Sequence, residues 1–174
     1  MNETQLTFKC LQCGECCRRI ISQVSFGLAG LSLLPSETHL FNQKYIYPLY
    51  GAGTRGRSRP RPKLVYMYQY AKNPCEHLTP NNTCKIYPNR PTVCQAFPAE
   101  TTPIGTFLHR ECTQIAKLLK EGETITSDMI KGLEKEIQAS QTFSQHIRKA
   151  IKQAGSPAWA FDLKTKKWKK LTEG

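Results

Sequence analysis

The sequence predicts an α+β protein: a small, irregular, cysteine-rich body, followed by C-terminal helices and a terminal hairpin. Three observations carry that prediction. The eight cysteines fall in two ordered blocks, Cys10, Cys13, Cys16 and Cys17, then Cys75, Cys84, Cys94 and Cys112. Prolines at 74, 80, 88, 91 and 98 run through the second block and exclude a long helix there. Beyond residue 112 the apolar residues change to a spacing near 3.6 and then to alternation. A chain of 174 residues suits one body, and 39% apolar content with 11 Gly and 11 Pro argues for a loop-rich one. The expected organisation is a cysteine-bearing part over 1–112, with a helical segment over 113–174 packed on it.

Each element has its own signal. Residues 10–20 read as a tight loop running into a short helix, with Gly14 at the turn. Leu34 to Phe41 reads as a helix start, with Ser36 as N-cap and Glu37 in the first turn. Residues 51–63 (GAGTRGRSRPRPK) hold three Gly, two Pro and five basic residues, which predicts a basic mobile loop. Leu64 to Tyr70 then reads as a strand, with Tyr66, Tyr68 and Tyr70 on one face and Val65 and Met67 on the other. Ile115, Leu118 and Leu119 predict a short helix ending near Gly122. A longer helix is expected from about Ser127 to Gln153, with Ile130, Leu133, Ile137, Phe143, Ile147 and Ile151 as its apolar stripe. Gly155 and Pro157 stop it. Trp159 to Leu171 alternates as a hairpin, with Lys164, Thr165 and Lys166 as its turn.

Four soft ligands between Cys10 and Cys17 are hard to explain as packing. Two cysteines separated by two residues let thiolates converge on one ion across a tight turn, as in zinc knuckles. A third at the same spacing is how ferredoxin-type loops supply three thiolates to a [4Fe–4S] cluster, the fourth arriving from far away. Cys16 and Cys17 are adjacent, so their side chains diverge. They fit two neighbouring sites, or one polynuclear centre with Cys17 left as a reactive thiol. The count alone leaves open an architectural zinc site, a disulfide scaffold, unrelated thiols and an iron–sulfur centre. His39, His77, His109 and His146 are possible further ligands, although a lone histidine near a site is more often a surface residue. In the second block, Pro91 stiffens the turn before Cys94, Arg90 is placed to bond a carbonyl or thiolate of the site, and Phe97 with Pro98 shields it.

The formal net charge is +12, a surface that attracts anions. Arg55, Arg57, Arg59 and Arg61 lie between two tyrosine groups, Tyr45, Tyr47 and Tyr50 before, and Tyr66, Tyr68 and Tyr70 after. Basic side chains track phosphates and aromatic rings stack on bases, so single-stranded RNA is one expectation. Two paired strands with a solvated loop at their tip is the plainer one. The lysines around Trp168 allow an acidic protein or RNA in the same way. No apolar run approaches the roughly 18 residues of a membrane span, and the polar first residues do not read as a secretory signal. Eight cysteines in a reducing cytoplasm favour metal over disulfides.

The run Phe8-x-Cys10-x-x-Cys13-Gly14-x-Cys16-Cys17 resembles the signature of the CxxCxxCC cysteine-cluster family, described as zinc- or iron-chelating. The second block is similar as well: Cys75-x-x-Leu78, then Cys84-x-Ile86-Tyr87-x-x-Arg90-Pro91-x-x-Cys94-x-x-Phe97-Pro98, with Cys112 in the place of the family's late cysteine. The resemblance covers roughly residues 8 to 112. It implies a cysteine-held metal centre; our reading takes most or all of Cys10, Cys13, Cys16, Cys17, Cys75, Cys84, Cys94 and Cys112 as ligands and prefers iron–sulfur to zinc. Flagellin lysine N-methylases are related to this family, so it also implies, as an alternative, an iron–sulfur-dependent methylase- or oxidoreductase-like enzyme. No glycine-rich nucleotide motif following a strand supports that alternative. A zinc-stabilised RNA- or protein-binding module is the third reading.

Overall fold

The computed structural model describes residues 6–58, 60–118, 130–154 and 158–171. In chain order the described elements are β1 (Leu6–Thr7), α1 (Glu15–Arg18), β2 (Ser22–Val24), β3 (Gly27–Ala29), β4 (Leu31–Leu33), β5 (Ile46–Ala52), β6 (Leu64–Tyr70), α2 (Thr92–Ala96), β7 (Ala99–Thr102), β8 (Gly105–Leu108), α3 (Thr113–Leu118), β9 (Ile130–Lys131), α4 (Glu134–Ala154), β10 (Ala158–Asp162) and β11 (Lys167–Lys170). The class is α+β, as expected, with a C-terminal helix and a terminal strand hairpin. Among the described residues no helix is long and apolar enough to cross a membrane.

The chain divides into two compact units at places other than residue 112. Unit 1 is Met1–Arg18 with His77–Ser144, and unit 2 is Arg19–Glu76 with Gln145–Gly174. The physical reason is strand pairing at long range. β10 closes on β5, which draws the C-terminal hairpin into the same sheet as residues 31–70.

Unit 2 is built on a five-stranded antiparallel sheet in the order β11-β10-β5-β6-β4. β6 spans the residues the alternation predicts. Its burial does not alternate, because Met67, Gln69 and Tyr70 are all at 1% exposure or less. Both faces of that strand are therefore covered. The buried Gln69 side chain is the polar knot of the sheet. Its Oε1 accepts from the Gly30 N–H at 2.8 Å, and its Nε2 donates to the Pro48 carbonyl at 2.7 Å and the Phe161 carbonyl at 3.1 Å. The β2–β3 hairpin joins β10 through Asp162, whose carboxylate accepts from the N–H groups of Leu28 and Lys164, the Thr165 hydroxyl and Lys169. Those donors, the Leu28 N–H foremost, hold the Asp162 carboxyl well below the usual carboxylate range. Gly27 sits with φ +136, and a Cβ there would fall 2.4 Å from the Asp162 carboxyl carbon.

Two expectations change here. The helix anticipated from Ser36 is a 3-10 helix over Pro35–Leu40. Pro35 presets its first turn, and Leu34 rather than Ser36 is the N-cap, its N–H donating to Glu37 at 2.9 Å. The stretch expected to be an irregular loop, 51–63, partly continues the β5–β6 ladder. Gly51 and Ala52 lie in β5, Lys63 donates its N–H to the Ala52 carbonyl, and Arg55 and Arg61 exchange backbone bonds at 2.8 and 3.1 Å.

Unit 1 has a small core of Phe8, Ile115 and Leu133, with Cys10, Leu108, Cys112 and Ile137 packed against it. β7 and β8 form a hairpin, and β1 pairs with β9 in parallel. That pairing delays the long helix. Gly132 has φ +85, with the Phe8 carbonyl oxygen 2.7 Å from where a Cβ would be, so α4 starts at Glu134 rather than near Ser127, which lies outside the described residues. Leu133 is buried and Ile137 half-buried, whereas Ile151 is 45% exposed and Ile130 lies in β9 rather than on the helix. The stripe also missed Ser140, whose buried hydroxyl accepts from the Thr101 N–H at 2.7 Å, while Ser144 donates to the Thr101 carbonyl at 2.8 Å. The expected helix end near Gly122 and the stop at Gly155 and Pro157 lie outside the described residues.

Candidate metal centre

The first cysteine block is shaped by two consecutive needs for left-handed backbone. Gln12 has φ 49 and Gly14 φ 74, which turns the chain sharply between Cys10 and α1. The Cys17 N–H then closes the first helical turn on the Gly14 carbonyl at 3.0 Å. This loop lies directly on the second block. A Cβ on Gly14 would meet Leu78 Cδ1 at 2.7 Å and the Asn82 carbonyl oxygen at 2.8 Å. Arg18 fastens the same junction, donating to the Cys13 carbonyl at 3.2 Å, to Glu15 at 3.0 Å and to the Asn82 side chain. Residues 77–85 fold back as a short loop in which Leu78 bridges Cys84, carrying that cysteine to the loop's exit.

Side-chain contacts connect the thiols further. The Tyr87 hydroxyl hydrogen-bonds Cys10, and burial together with that bond pushes the phenol up. Arg90 lies 4.2 Å over the Tyr87 ring. Cys16 is lowered to about 7, first by the hydrogen bond from Cys17 and further by the Arg90 guanidinium, against the opposing effect of burial. Cys17 is the donor in that bond and Cys16 the acceptor. The positive charge of Arg90 acts on Cys16 through space. Cys13 donates to the Thr113 hydroxyl at 3.6 Å. Cys112 is pushed up, chiefly by burial and in addition by the neighbouring Cys10 and Cys13. Beside Cys10 lies an open cavity of about 400 Å³, lined by Phe8, Gln12, Tyr87 and Glu136 among others.

Pro91 is fully buried and serves as the N-cap of α2, which carries Cys94. The Arg90 carbonyl accepts from Gln95 at 2.7 Å, so this junction is held by its own helix. Phe97 stacks on His109 with ring centroids 5.7 Å apart. The two ring nitrogens of His109 face Glu100 at 3.1 Å and Glu111 at 3.7 Å, which occupies both potential donor atoms. Cys75 belongs to unit 2, buried near Tyr70, while the other seven cysteines belong to unit 1. His39 and His146 also fall in unit 2 and His77 at the start of unit 1. Arg55, Arg57 and Arg61 lie at the tip of the β5–β6 hairpin, and Arg59 is outside the described residues.

The donor chemistry fits a thiophilic metal. All eight cysteines are thiols without a disulfide. Cys10 and Cys13 lie within electrostatic reach of Cys112, so ionisation of Cys112 beside them is resisted, and a bound cation would remove that resistance. Among the described residues no three ligand-type side chains converge into a ready coordination shell. Cys10, Cys13 and Cys16 are bonded to Tyr87, Thr113 and Cys17, and ligation would exchange those weak bonds for metal bonds. Tyr87, Thr113 and Asn82 are the contributors that sequence reasoning missed. Tyr87 lies inside the second block's motif and Thr113 directly follows Cys112, but neither carries a spacing signal.

Comparison with known proteins agrees with this chemistry. The family model CxxCxxCC, described as a putative zinc- or iron-chelating domain, matches residues 9–116, more than half of the chain. No curated protein and no solved structure matches. Nothing in these comparisons links the chain to flagellin lysine N-methylase. The matched span runs from the residue before Cys10 to just past Cys112, and the chain belongs to the CxxCxxCC family.

Proposed function

We propose that unit 1 is a metal-binding module that holds an iron–sulfur cluster through four thiolates drawn from Cys10, Cys13, Cys16, Cys17, Cys84, Cys94 and Cys112. The observation that carries the reading is the seating of the first cysteine loop on the second block, with Gly14 against Leu78 and Asn82 and Cys10 bonded to Tyr87. Three cysteines at a spacing of three favour a cluster over a mononuclear ion. When bound, a cluster supplies electron transfer or a Lewis-acid iron. The chain's own contribution is to hold the thiolates. Arg90 offsets their charge, Tyr87 donates to Cys10, and Phe8, Ile115 and Leu133 keep water from the inner side of Cys10 and Cys112. Eight thiols without a disulfide suit a reducing compartment, and the cytoplasm is our reading of location.

The test is anaerobic purification followed by metal and sulfide analysis and an absorption spectrum. Iron with sulfide and a broad visible absorption is expected. Colourless protein containing zinc alone would overturn the cluster and leave a zinc site. Protein with neither metal, unable to take up either, would overturn chelation by this chain.

A further inference from the structure

The net charge of this protein is confined to one of its two units. Unit 1 carries nine basic and nine acidic residues, whereas unit 2 carries sixteen basic and four acidic, so the whole net charge of +12 belongs to unit 2. The metal-binding reading concerns unit 1 and makes no use of that charge. Within unit 2 the described basic residues include the hairpin tip, Arg55, Arg57 and Arg61, and the lysines of the β10–β11 hairpin.

That hairpin carries a row of rings across three neighbouring strands. Trp168 on β11 faces its cross-strand partner Phe161 on β10 edge-on, with centroids 5.4 Å apart. Phe161 stacks on Tyr47 of β5 at 6.4 Å and 15°. All three rings are only half-buried. Lys166 holds its ammonium 3.6 Å from the Tyr47 ring centroid, and Lys164, Lys167 and Lys170 are exposed around the same turn and strand. Lys169 is already engaged, by Asp162 and the Phe26 carbonyl. Among the described residues the other four lysines have no acidic partner. Part of this is edge protection, since lysine on an edge strand such as β11 discourages sheet-to-sheet pairing. Edge protection does not call for partly exposed rings next to those lysines. Rings beside ammonium groups are the combination that binds unstacked bases and their phosphates together.

We propose that the β5–β10–β11 face of unit 2 is a docking surface for single-stranded RNA. Bases stack on the exposed parts of Trp168, Phe161 and Tyr47, and Lys164, Lys166 and Lys170 track the phosphates. A single strand fits better than a duplex because stacking requires bases free of their pairs. RNA presents such segments in loops and ends, whereas cellular DNA is mostly paired.

The experiment is fluorescence anisotropy of the full-length, metal-loaded protein with a labelled oligouridine of about 12 nucleotides, titrated at several salt concentrations. Binding is expected to weaken linearly in log–log form with salt. Replacing Lys164, Lys166 and Lys170 by Gln should lower the slope by about 2, at about 0.7 per phosphate contact. Trp168→Ala should weaken binding about tenfold to a hundredfold and leave the slope unchanged. Since Trp159 is buried, quenching of tryptophan emission on binding reports Trp168 and provides a readout in the parent protein that needs no ring deletion. No retention of oligouridine at low salt, an unchanged slope in the triple Gln variant, or absence of quenching overturns the proposal. Tighter binding of oligothymidine overturns the assignment to RNA, and equal competition by polyglutamate points instead to an acidic protein.

Discussion

Gln69→Glu is the sharpest test of how unit 2 is held together. The amide is fully buried and makes three hydrogen bonds, accepting from Gly30 and donating to the carbonyls of Pro48 and Phe161. The substitution keeps the shape and the acceptor but removes both donors. Two buried carbonyls then face a carboxylate. Each buried group left unsatisfied costs about 1–3 kcal/mol, and the charge has no cation to meet it. A loss of about 3 kcal/mol or more at neutral pH follows, a large share of a total that is typically about 5–15 kcal/mol. With a urea dependence of about 2 kcal/mol per molar, the unfolding midpoint should fall by about 1.5 M. The pH dependence has a definite sign. Burial beside two carbonyl oxygens raises the introduced carboxyl above its unfolded value of about 4.3. The folded state therefore holds the proton longer, so the deficit is smallest below about pH 4 and grows as pH rises through the folded-state value. Gln69→Leu loses all three bonds, has no titrating group, and should show a deficit relative to the parent that is flat across that window. Urea titrations of parent, Glu and Leu variants at several pH values decide it. A Glu variant within about 0.5 kcal/mol of the parent at pH 7, or one parallel to the Leu variant with pH, would refute the role given to Gln69.

Other outcomes follow from unit 1. Ser140→Ala strands the part-buried Thr101 N–H and should cost about 1 kcal/mol, seen as a fall in thermal midpoint of about 2–4 °C per kcal/mol. Ser144→Ala removes a bond to a carbonyl and should cost less than Ser140→Ala. In metal-free protein, alkylation of Cys16 should rise through pH 7 while Cys112 lags to higher pH, as read by peptide mass mapping. Cys17→Ala should move the Cys16 profile upward more than Arg90→Ala does, since the Cys17 bond is the larger influence. Gly14→Ala combines a φ of 74 with a clash at 2.8 Å against the Asn82 carbonyl oxygen. It should cost at least about 2 kcal/mol and lower metal retention, and unchanged retention would separate the loop from the centre.

Local signals were legible wherever a run of residues settles its own structure. β6 appears over the residues whose alternation predicts it, and the C-terminal hairpin turns where Lys164 to Lys166 stand. The start of α4 was not legible, because it depends on β1 pairing with β9 and on a carbonyl of Phe8 crowding Gly132. The division into units was equally hidden, since it rests on β10 meeting β5 across more than a hundred residues. At the candidate centre the sequence announces every thiol, because cysteine spacing is itself the signal. It does not announce Tyr87, Thr113 or Asn82, whose roles exist only once the first loop is seated on the second block.

The order of the units along the chain gives the proposed centre a topological role. Residues Arg19–Glu76 of unit 2 interrupt unit 1 between its two cysteine blocks. A metal shared by the Cys10–Cys17 block and the Cys84–Cys112 block would act as a clasp, closing a ring that contains this whole insertion. Closing a ring over disordered chain costs entropy that grows with its length, whereas a folded insertion has already given up that freedom. Metal retention and the integrity of unit 2 should then be linked reciprocally. Loosening Gln69's knot would speed metal loss from a site to which Gln69 contributes no ligand, and stripping the metal would make unit 2 easier to unfold.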